Sequence, residues 1–173
     1  VEVEFNTKPI DNLDFGGILS LGDWTWQGDV EAVVYSETDP SSFSTVNAYT
    51  DGLKVGDAPQ SQYGFKARYQ LGAFFVGATY VYNDKFYADF DPSRINDAED
   101  KQNSYQLPSY GTLDARVGAD FAVGDYNLQV IAQGFNLTDE FYWSDAQDAG
   151  GQGIAYGFPG FGRNFNLAVK VDF

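Results

Sequence analysis

Cysteine, methionine and histidine are absent from all 173 residues of this chain. Without cysteine there are neither disulfides nor thiolate metal sites, and without histidine the commonest general base and the usual transition-metal ligand are missing. Carboxylate pairs such as Glu2 and Glu4 have no nucleophile or base beside them. We therefore expect a protein that is not an enzyme and that carries no cofactor and no metal centre.

Basic residues are scarce, with 10 lysines and arginines against 25 acids and a formal net charge of −15. Nucleic acids are bound through clusters of lysine and arginine side chains that face the phosphates. This balance therefore argues against a nucleic-acid partner.

Long hydrophobic runs are also missing, because no segment approaches the roughly 18 consecutive apolar residues of a membrane-spanning helix. The mean hydropathy is −0.33. These values exclude a helical membrane protein. They are compatible with a transmembrane β-barrel, since its strands expose apolar side chains at alternate positions only and the average stays polar.

The residues that are abundant favour strands, with 17% aromatic residues and 19 glycines. The clearest two-residue alternation places Tyr63, Phe65, Ala67, Tyr69 and Leu71 on one face and polar or small residues on the other. Similar alternation marks the segments 1–8, 13–21, 74–85, 112–121, 127–133 and 164–173. The sequence thus predicts about seven strands.

The polar parity of these strands carries charged side chains, namely Lys66, Arg68, Arg116 and Lys170 beside several acids. A hydrated or plugged barrel lumen would accommodate such side chains. Phe75 and Val81 interrupt the polar face of the strand over 74–85.

Short and long connections alternate along the chain. Tight turns are expected at 11–12, 72–73 and 122–125, and long polar loops at 27–61, 89–104 and 144–161, where 30–35 and 46–49 could extend the flanking strands. This alternation is typical of outer-membrane barrels, with short periplasmic turns and long extracellular loops. We therefore predict an all-β fold, an antiparallel transmembrane β-barrel with a periplasmic C-terminus.

Aromatic residues gather near the predicted rims. Trp24, Trp26, Tyr142 and Trp143 lie near the extracellular rim, together with Tyr80 and Tyr82, while Phe121 and Phe173 lie near the periplasmic rim. The main interpretation is an interfacial girdle. The alternative is that the first four side chains stack on the ring of a sugar or siderophore.

Two motifs near the end of the chain resemble a known family. GFNLTDEFYWSDA at 134–146 and FPGFGRNFNLAVKVDF at 158–173 resemble the close of TonB-dependent outer-membrane receptors. DGLKVGDAPQSQ at 51–62 and YNDKFYADFDP at 82–92 are similar to such receptors from the Bacteroidetes.

The resemblance implies a 22-stranded barrel that is plugged by an N-terminal domain and takes up a siderophore, a cobalamin or a glycan. Residues 1–173 would form the C-terminal segment of one barrel domain, and the strand-like start at 1–5, without a leader pattern, predicts that the chain begins inside a larger protein. The implied partners are outer-membrane lipid, the remaining barrel and plug, the TonB complex acting through the missing N-terminal part, and a surface lipoprotein.

The last strand carries its apolar residues on one face and ends in an aromatic residue. Phe165, Leu167, Val169, Val171 and Phe173 resemble the signal that the barrel-assembly machinery reads. The alternative is an ordinary strand with an aromatic terminus.

Three further alternatives stay open. About eight strands could close a small complete barrel that serves as an anchor or surface-interaction protein, but closure requires an even number and we count seven. A soluble β-sandwich would bury the apolar faces in its own core. The acidic loops could bind Ca²⁺ or form a solvated surface through Asp89, Asp91, Asp97, Glu99, Asp100, Asp145 and Asp148.

Overall fold

The computed structural model of the chain describes residues 1–102, 104–149 and 154–172. Its strands are β1 Glu2–Ile10, β2 Leu13–Leu21, β3 Val30–Tyr35, β4 Phe43–Ala48, β5 Pro59–Leu71, β6 Phe74–Tyr87, β7 Gln106–Leu107, β8 Tyr110–Val123, β9 Tyr126–Phe135, β10 Trp143–Asp148, β11 Ala155–Pro159 and β12 Asn164–Asp172. Two 3₁₀-helices lie at Pro92–Arg94 and Ala98–Asp100. No helix in these described ranges has the length and apolar content needed to cross a membrane.

Seven of the strands form one antiparallel sheet in the order β1-β2-β5-β6-β8-β9-β12, and β7 pairs with the end of β6. The predicted all-β fold with about seven antiparallel strands is confirmed. Chain neighbours pair with each other through short turns or across long connections, so all turns lie at one end of the sheet (the turn end) and all long connections at the other (the loop end).

The strand register sorts the side chains into an apolar face and a polar face. One row across the sheet joins Leu13, Tyr69, Val76, Val117, Ala132 and Leu167. The next row joins Asp14, Arg68, Gly77, Arg116, Gln133 and Asn166. Because side chains alternate between faces, each strand presents its apolar parity on the same side of the sheet.

The apolar face has no protein layer packed against it. Phe65, Val76 and Val117 each expose about half of their surface and Leu167 exposes 72%. The other two described sheets are two-stranded hairpins, β3-β4 and β10-β11. The β-sandwich alternative is therefore wrong, since the large sheet has no second sheet to share a core with.

Phe75, which interrupts the polar parity of β6, packs onto its own sheet. Its ring lies across Gly118 of β8, where an added Cβ would come within 2.4 Å of the ring, and the Arg68 guanidinium lies 4.5 Å from the ring centroid. Only 7% of Phe75 is exposed. A glycine on the neighbouring strand thus gives an aromatic ring room on the polar face.

The turns fall at 11–12, 72–73 and 124–125. The third is shorter than the predicted 122–125, because β8 continues to Val123. Gly72 and Gly124 have φ values of 58° and 61°, a backbone conformation that glycine adopts without steric cost.

Two predictions about the long loops are wrong. Neither 30–35 nor 46–49 extends a flanking strand, because residues 30–35 pair with Phe43–Ala48 as a separate hairpin, β3-β4. The third loop contains a second hairpin, β10-β11. The sequence of both hairpins lacks a strict alternation. The reason is that the inner side of each hairpin is buried against other loops.

Candidate functional site

The long connections at the loop end pack together into what we call the loop layer, comprising the described residues of 22–58, 88–109 and 136–163. One buried cluster joins Phe86, Ala88, Leu107 and Ala146 from two connections and the end of β6. A second joins Leu53, Phe90 and Ile95. Most of the buried apolar side chains of the described chain lie in this layer.

Backbone hydrogen bonds also link the three connections. The Asp89 N–H donates to the Ala146 carbonyl at 2.8 Å, and the Asp148 N–H donates to the Asp89 carbonyl at 2.7 Å. The Tyr49 N–H donates to the Ile95 carbonyl at 2.9 Å. The connections therefore support one another, and opening one removes partners from the next.

Trp24 and Trp26 lie in the first connection, in different surroundings. Trp24 exposes 42% of its surface and its carbonyl accepts a 2.9 Å hydrogen bond from the Gln60 amide. Trp26 packs its ring edge against Phe90 at 5.9 Å between centroids. The indole N–H of Trp26 is buried and has no hydrogen-bond partner among the described residues.

Tyr142 and Trp143 lie in the third connection and pack against protein. Tyr142 stacks on Tyr110 of β8, with ring centroids 4.4 Å apart. Trp143 packs on the cluster around Phe86 and meets Phe141 edge-on at 5.1 Å. Contact of the four predicted side chains with a ligand stays a prediction, and Trp24 is the most exposed of them.

Asn136, the first residue of the Asn-Leu-Thr-Asp motif, holds the third connection in place. Its side-chain amide donates to the carbonyls of Glu140 at 2.9 Å and Phe161 at 3.1 Å, and its side-chain carbonyl accepts from the Glu140 N–H at 3.0 Å. Its own N–H donates to Asp114 of β8 at 2.8 Å. Sequence reasoning used this motif only as a resemblance, whereas the structure shows that it joins three segments.

The second motif of the resemblance, at 158–173, contributes Arg163 to the same hydrogen-bond network. The Asp139 carboxylate accepts from the Arg163 N–H at 2.9 Å and from the Arg163 guanidinium at 3.4 Å. Asn136 and Asp139 have φ values of 47° and 55°, a conformation that asparagine and aspartate tolerate better than most residues. The residue types of both motifs are thus explained by backbone shape and hydrogen bonding.

Charges in the loop layer are paired in one place and crowded in another. Lys54 donates to the Asp23 carboxylate, and this bond lowers the pKa of Asp23 and raises the pKa of Lys54. The pKa of Asp57 is raised by partial desolvation and by the neighbouring carboxylates of Asp89 and Asp145. Within residues 1–102, 104–149 and 154–172, no group of three or more acids is placed to hold a metal ion.

The predicted assembly residues of the last strand lie in β12 at one edge of the sheet. Phe165, Leu167, Val169 and Val171 sit on the apolar face and are 45% to 72% exposed. Phe173 lies outside the described residues. Recognition of this strand by the assembly machinery stays a prediction.

The polar face holds a hollow with a volume of about 670 Å³. Its lining includes Lys66, Arg68, Gly77, Asp114 and Arg116. Three of the four basic residues predicted to point inward therefore meet in one place. The fourth, Lys170, lies near the turn end and pairs with Asp172 at 3.0 Å.

A single antiparallel sheet with one lipid-compatible face, one polar face, tight turns at one end and long packed loops at the other defines the wall of a transmembrane β-barrel. A family model described as "TonB dependent receptor-like, beta-barrel" matches residues 1–137. The chain therefore belongs to the TonB-dependent receptor-like β-barrel family. This is a family of outer-membrane transport proteins, so the predictions of a receptor barrel and of a protein that is not an enzyme are confirmed.

One solved structure with the same fold is the siderophore receptor PiuA from Acinetobacter baumannii, with a TM-score of 0.56 and 19% sequence identity. The alignment covers 97% of this chain and 20% of that receptor. The chain thus spans one fifth of the length of the receptor it matches. No curated protein matches the sequence.

Proposed function

We propose that the chain forms seven consecutive strands in the wall of an outer-membrane receptor for active uptake of a scarce ligand. The candidates are a siderophore, a cobalamin and a glycan, and a siderophore is the first to test because PiuA is a siderophore receptor. Residues 1–173 would be the C-terminal segment of one barrel domain, and a Bacteroidetes origin remains part of this proposal.

One observation carries the proposal, namely the sorting of side chains across all seven strands. The row from Val3 through Leu19 and Tyr63 to Tyr82, and the row from Leu13 to Leu167, are apolar throughout. Burying apolar surface is favourable by roughly 25 cal/mol per Å². Since no protein layer covers these rows, lipid is the surrounding that would stabilise them.

The proposal includes partners and an orientation. The polar face would line the lumen and meet a plug domain, and energy would come from the TonB complex through a segment outside this chain. The barrel-assembly machinery would read β12, and a surface lipoprotein would meet the loop layer. The loop layer would face the outside, where Trp24, Trp26, Tyr142 and Trp143 could contact the ligand.

The orientation can be tested with single cysteines, because the chain has none of its own. Phe161→Cys places a thiol on a loop-layer residue that is 85% exposed, and Asp125→Cys places one in a turn at the other end. In intact cells, a membrane-impermeant maleimide should label F161C and should label D125C only after the outer membrane is opened. The reverse pattern would contradict the orientation.

The receptor function can be tested on the native protein. Intact mass and N-terminal sequencing of the protein extracted from its outer membrane should give a species far larger than 19.1 kDa, or a partner fragment that carries a plug. Deletion of the gene should abolish TonB-dependent growth on one ligand class. A lone 19.1 kDa species that forms a closed, heat-modifiable barrel would contradict the receptor proposal.

A further inference from the structure

Two arginines on the polar face flank a glycine. Arg68 of β5 pairs with Gly77 of β6, and Gly77 pairs with Arg116 of β8. Since neighbouring strands lie about 4.8 Å apart, the two arginine Cα atoms are about 10 Å apart. A Cβ added at Gly77 would lie 3.3 Å from the Arg116 Nε, so the Arg116 side chain lies over the glycine and toward Arg68.

Neither guanidinium group has a carboxylate partner in the part of the chain that the structure describes. Arg68 donates to the Gln70 side chain at 2.7 Å and contacts the Phe75 ring. Within the described ranges, no acidic oxygen lies within 4.0 Å of either arginine. This is unusual in a chain that carries 25 acids and only 10 basic residues.

Two acids on the same face of the sheet, Asp14 and Asp114, already have partners. Asp14, which pairs with Arg68 in the strand register, lies 3.3 Å from the Lys8 ammonium. Asp114 accepts the 2.8 Å hydrogen bond from the Asn136 N–H. The hollow of about 670 Å³ is lined by these two acids and by four basic residues, Lys8, Lys66, Arg68 and Arg116, so its lining carries a net positive charge.

We propose that Arg68 and Arg116 form a carboxylate-binding site over Gly77. The inference rests on the proposed function, because the hollow lies inside a lumen only if the sheet is a barrel wall. A guanidinium group presents two N–H donors at the spacing of two carboxylate oxygens. The carboxylate belongs either to an acidic side chain of a polypeptide segment inside the lumen or to a free solute.

The test places a thiol in the hollow of the complete receptor through Thr79→Cys, since Thr79 also lines it. Reaction rates are measured with an anionic and with a cationic methanethiosulfonate reagent, in the presence and absence of citrate. The variants are the single substitutions Arg68→Gln and Arg116→Gln and the double substitution that combines them. The control is Arg94→Gln in the loop layer, because the Arg94 charge is paired with Asp91.

If the site serves solutes, the anionic reagent reacts faster than the cationic one, and citrate slows it. The rate of the anionic reagent falls by about fivefold for each arginine removed, from a charge interaction of about 1 kcal/mol at 4 Å in water. If the site holds a polypeptide carboxylate, T79C is protected from both reagents and the protection is lost in the double glutamine variant. Both results support the site, and they distinguish its two sources.

Equal rates for the two reagents that the arginine variants leave unchanged would overturn the proposal, as would protection that persists in the double variant. The barrel itself is tested independently by the surface labelling of F161C and D125C. A receptor that labels as expected, but whose T79C reacts with both reagents at equal rates that the arginine variants leave unchanged, would therefore refute the carboxylate site alone.

Discussion

At the residue scale, Asn136 makes several hydrogen bonds through one buried side chain, and only 4% of it is exposed. Asn136→Ala would leave the carbonyls of Glu140 and Phe161 without this donor and would place alanine at a φ of 47°. Each lost hydrogen bond costs about 0.5–1.5 kcal/mol, and a left-handed backbone costs a residue such as alanine about 1–2 kcal/mol. We expect the free energy of unfolding to fall by about 2–4 kcal/mol, measured by urea unfolding of the receptor in lipid vesicles.

A matched control for this variant is Asn47→Ala, because Asn47 is an exposed residue of β4. Its free energy of unfolding should change by less than about 0.5 kcal/mol. Equal midpoints for N136A and N47A would show that the Asn-Leu-Thr-Asp motif is not a structural centre of the loop layer.

The negative charge of Asp57 destabilises the folded loop layer, because the side chain is partly desolvated and lies near other carboxylates. Its pKa is raised above 3.8 by partial desolvation, Asp89 and Asp145, so the folded protein binds this proton more tightly than the unfolded chain does. Stability from this group is therefore lost as the pH rises through the raised pKa and is recovered on acidification toward 3.8. Asparagine tolerates the φ of 63° at this position.

We therefore expect Asp57→Asn to raise the thermal midpoint of the loop layer at pH 7, with a difference from the unsubstituted protein that vanishes as the pH approaches 3.8. Thermal unfolding of both proteins across this pH range is the measurement. Asp125→Asn is the control and should leave the loop layer unchanged, because residue 125 lies in a turn at the other end of the sheet. A difference that stays constant with pH would mean that charge is not the cause.

At the scale of elements, Leu107 of β7 joins two connections through the buried cluster with Phe86, Ala88 and Ala146. Leu107→Ala removes a side chain that is 3% exposed, a change that costs about 2–5 kcal/mol in a packed core. We expect faster proteolysis and hydrogen exchange in both 88–109 and 136–149, because the Asp89 and Asp148 amides bond across these segments.

The control for this variant is Ile154→Ala, since Ile154 is 55% exposed and its truncation leaves the cluster intact. Faster exchange confined to 88–109 in L107A would show that the connections open separately. Faster exchange in both segments would establish that these two connections open together.

The elements also show how far sequence reasoning reaches. Strands β5 and β6 were predictable because residues 63–71 alternate strictly, and residues 74–85 alternate with two interruptions, on either side of a glycine turn. The β3-β4 and β10-β11 hairpins were not, because their inner residues face other loops rather than lipid, and such partners are not visible in local alternation. Tyr110 was missed as the stacking partner of Tyr142 for the same reason. The two residues are 32 positions apart in the sequence, although their ring centroids are 4.4 Å apart in the structure.

At the scale of the whole molecule, the direction of the strands limits how the sheet can close. The seven strands alternate in direction from β1 to β12, so both edge strands run from the loop end to the turn end. Pairing β12 with β1 of the same chain, or of a second copy, would set two parallel strands side by side. An antiparallel barrel therefore needs an odd number of further strands between them, about 15 in a barrel of about 22.

This parity predicts that the 173-residue chain refolded alone into lipid vesicles gives no compact, heat-modifiable band on gels, whereas the complete receptor does. Open edges inside a bilayer leave backbone N–H and C=O groups without partners, at several kcal/mol each. Protease protection of β1 and β12 measures the same property independently. A protected, heat-modifiable species of 19.1 kDa would require an added strand or a parallel pair, and it would restore the small complete barrel as the better account of this sheet.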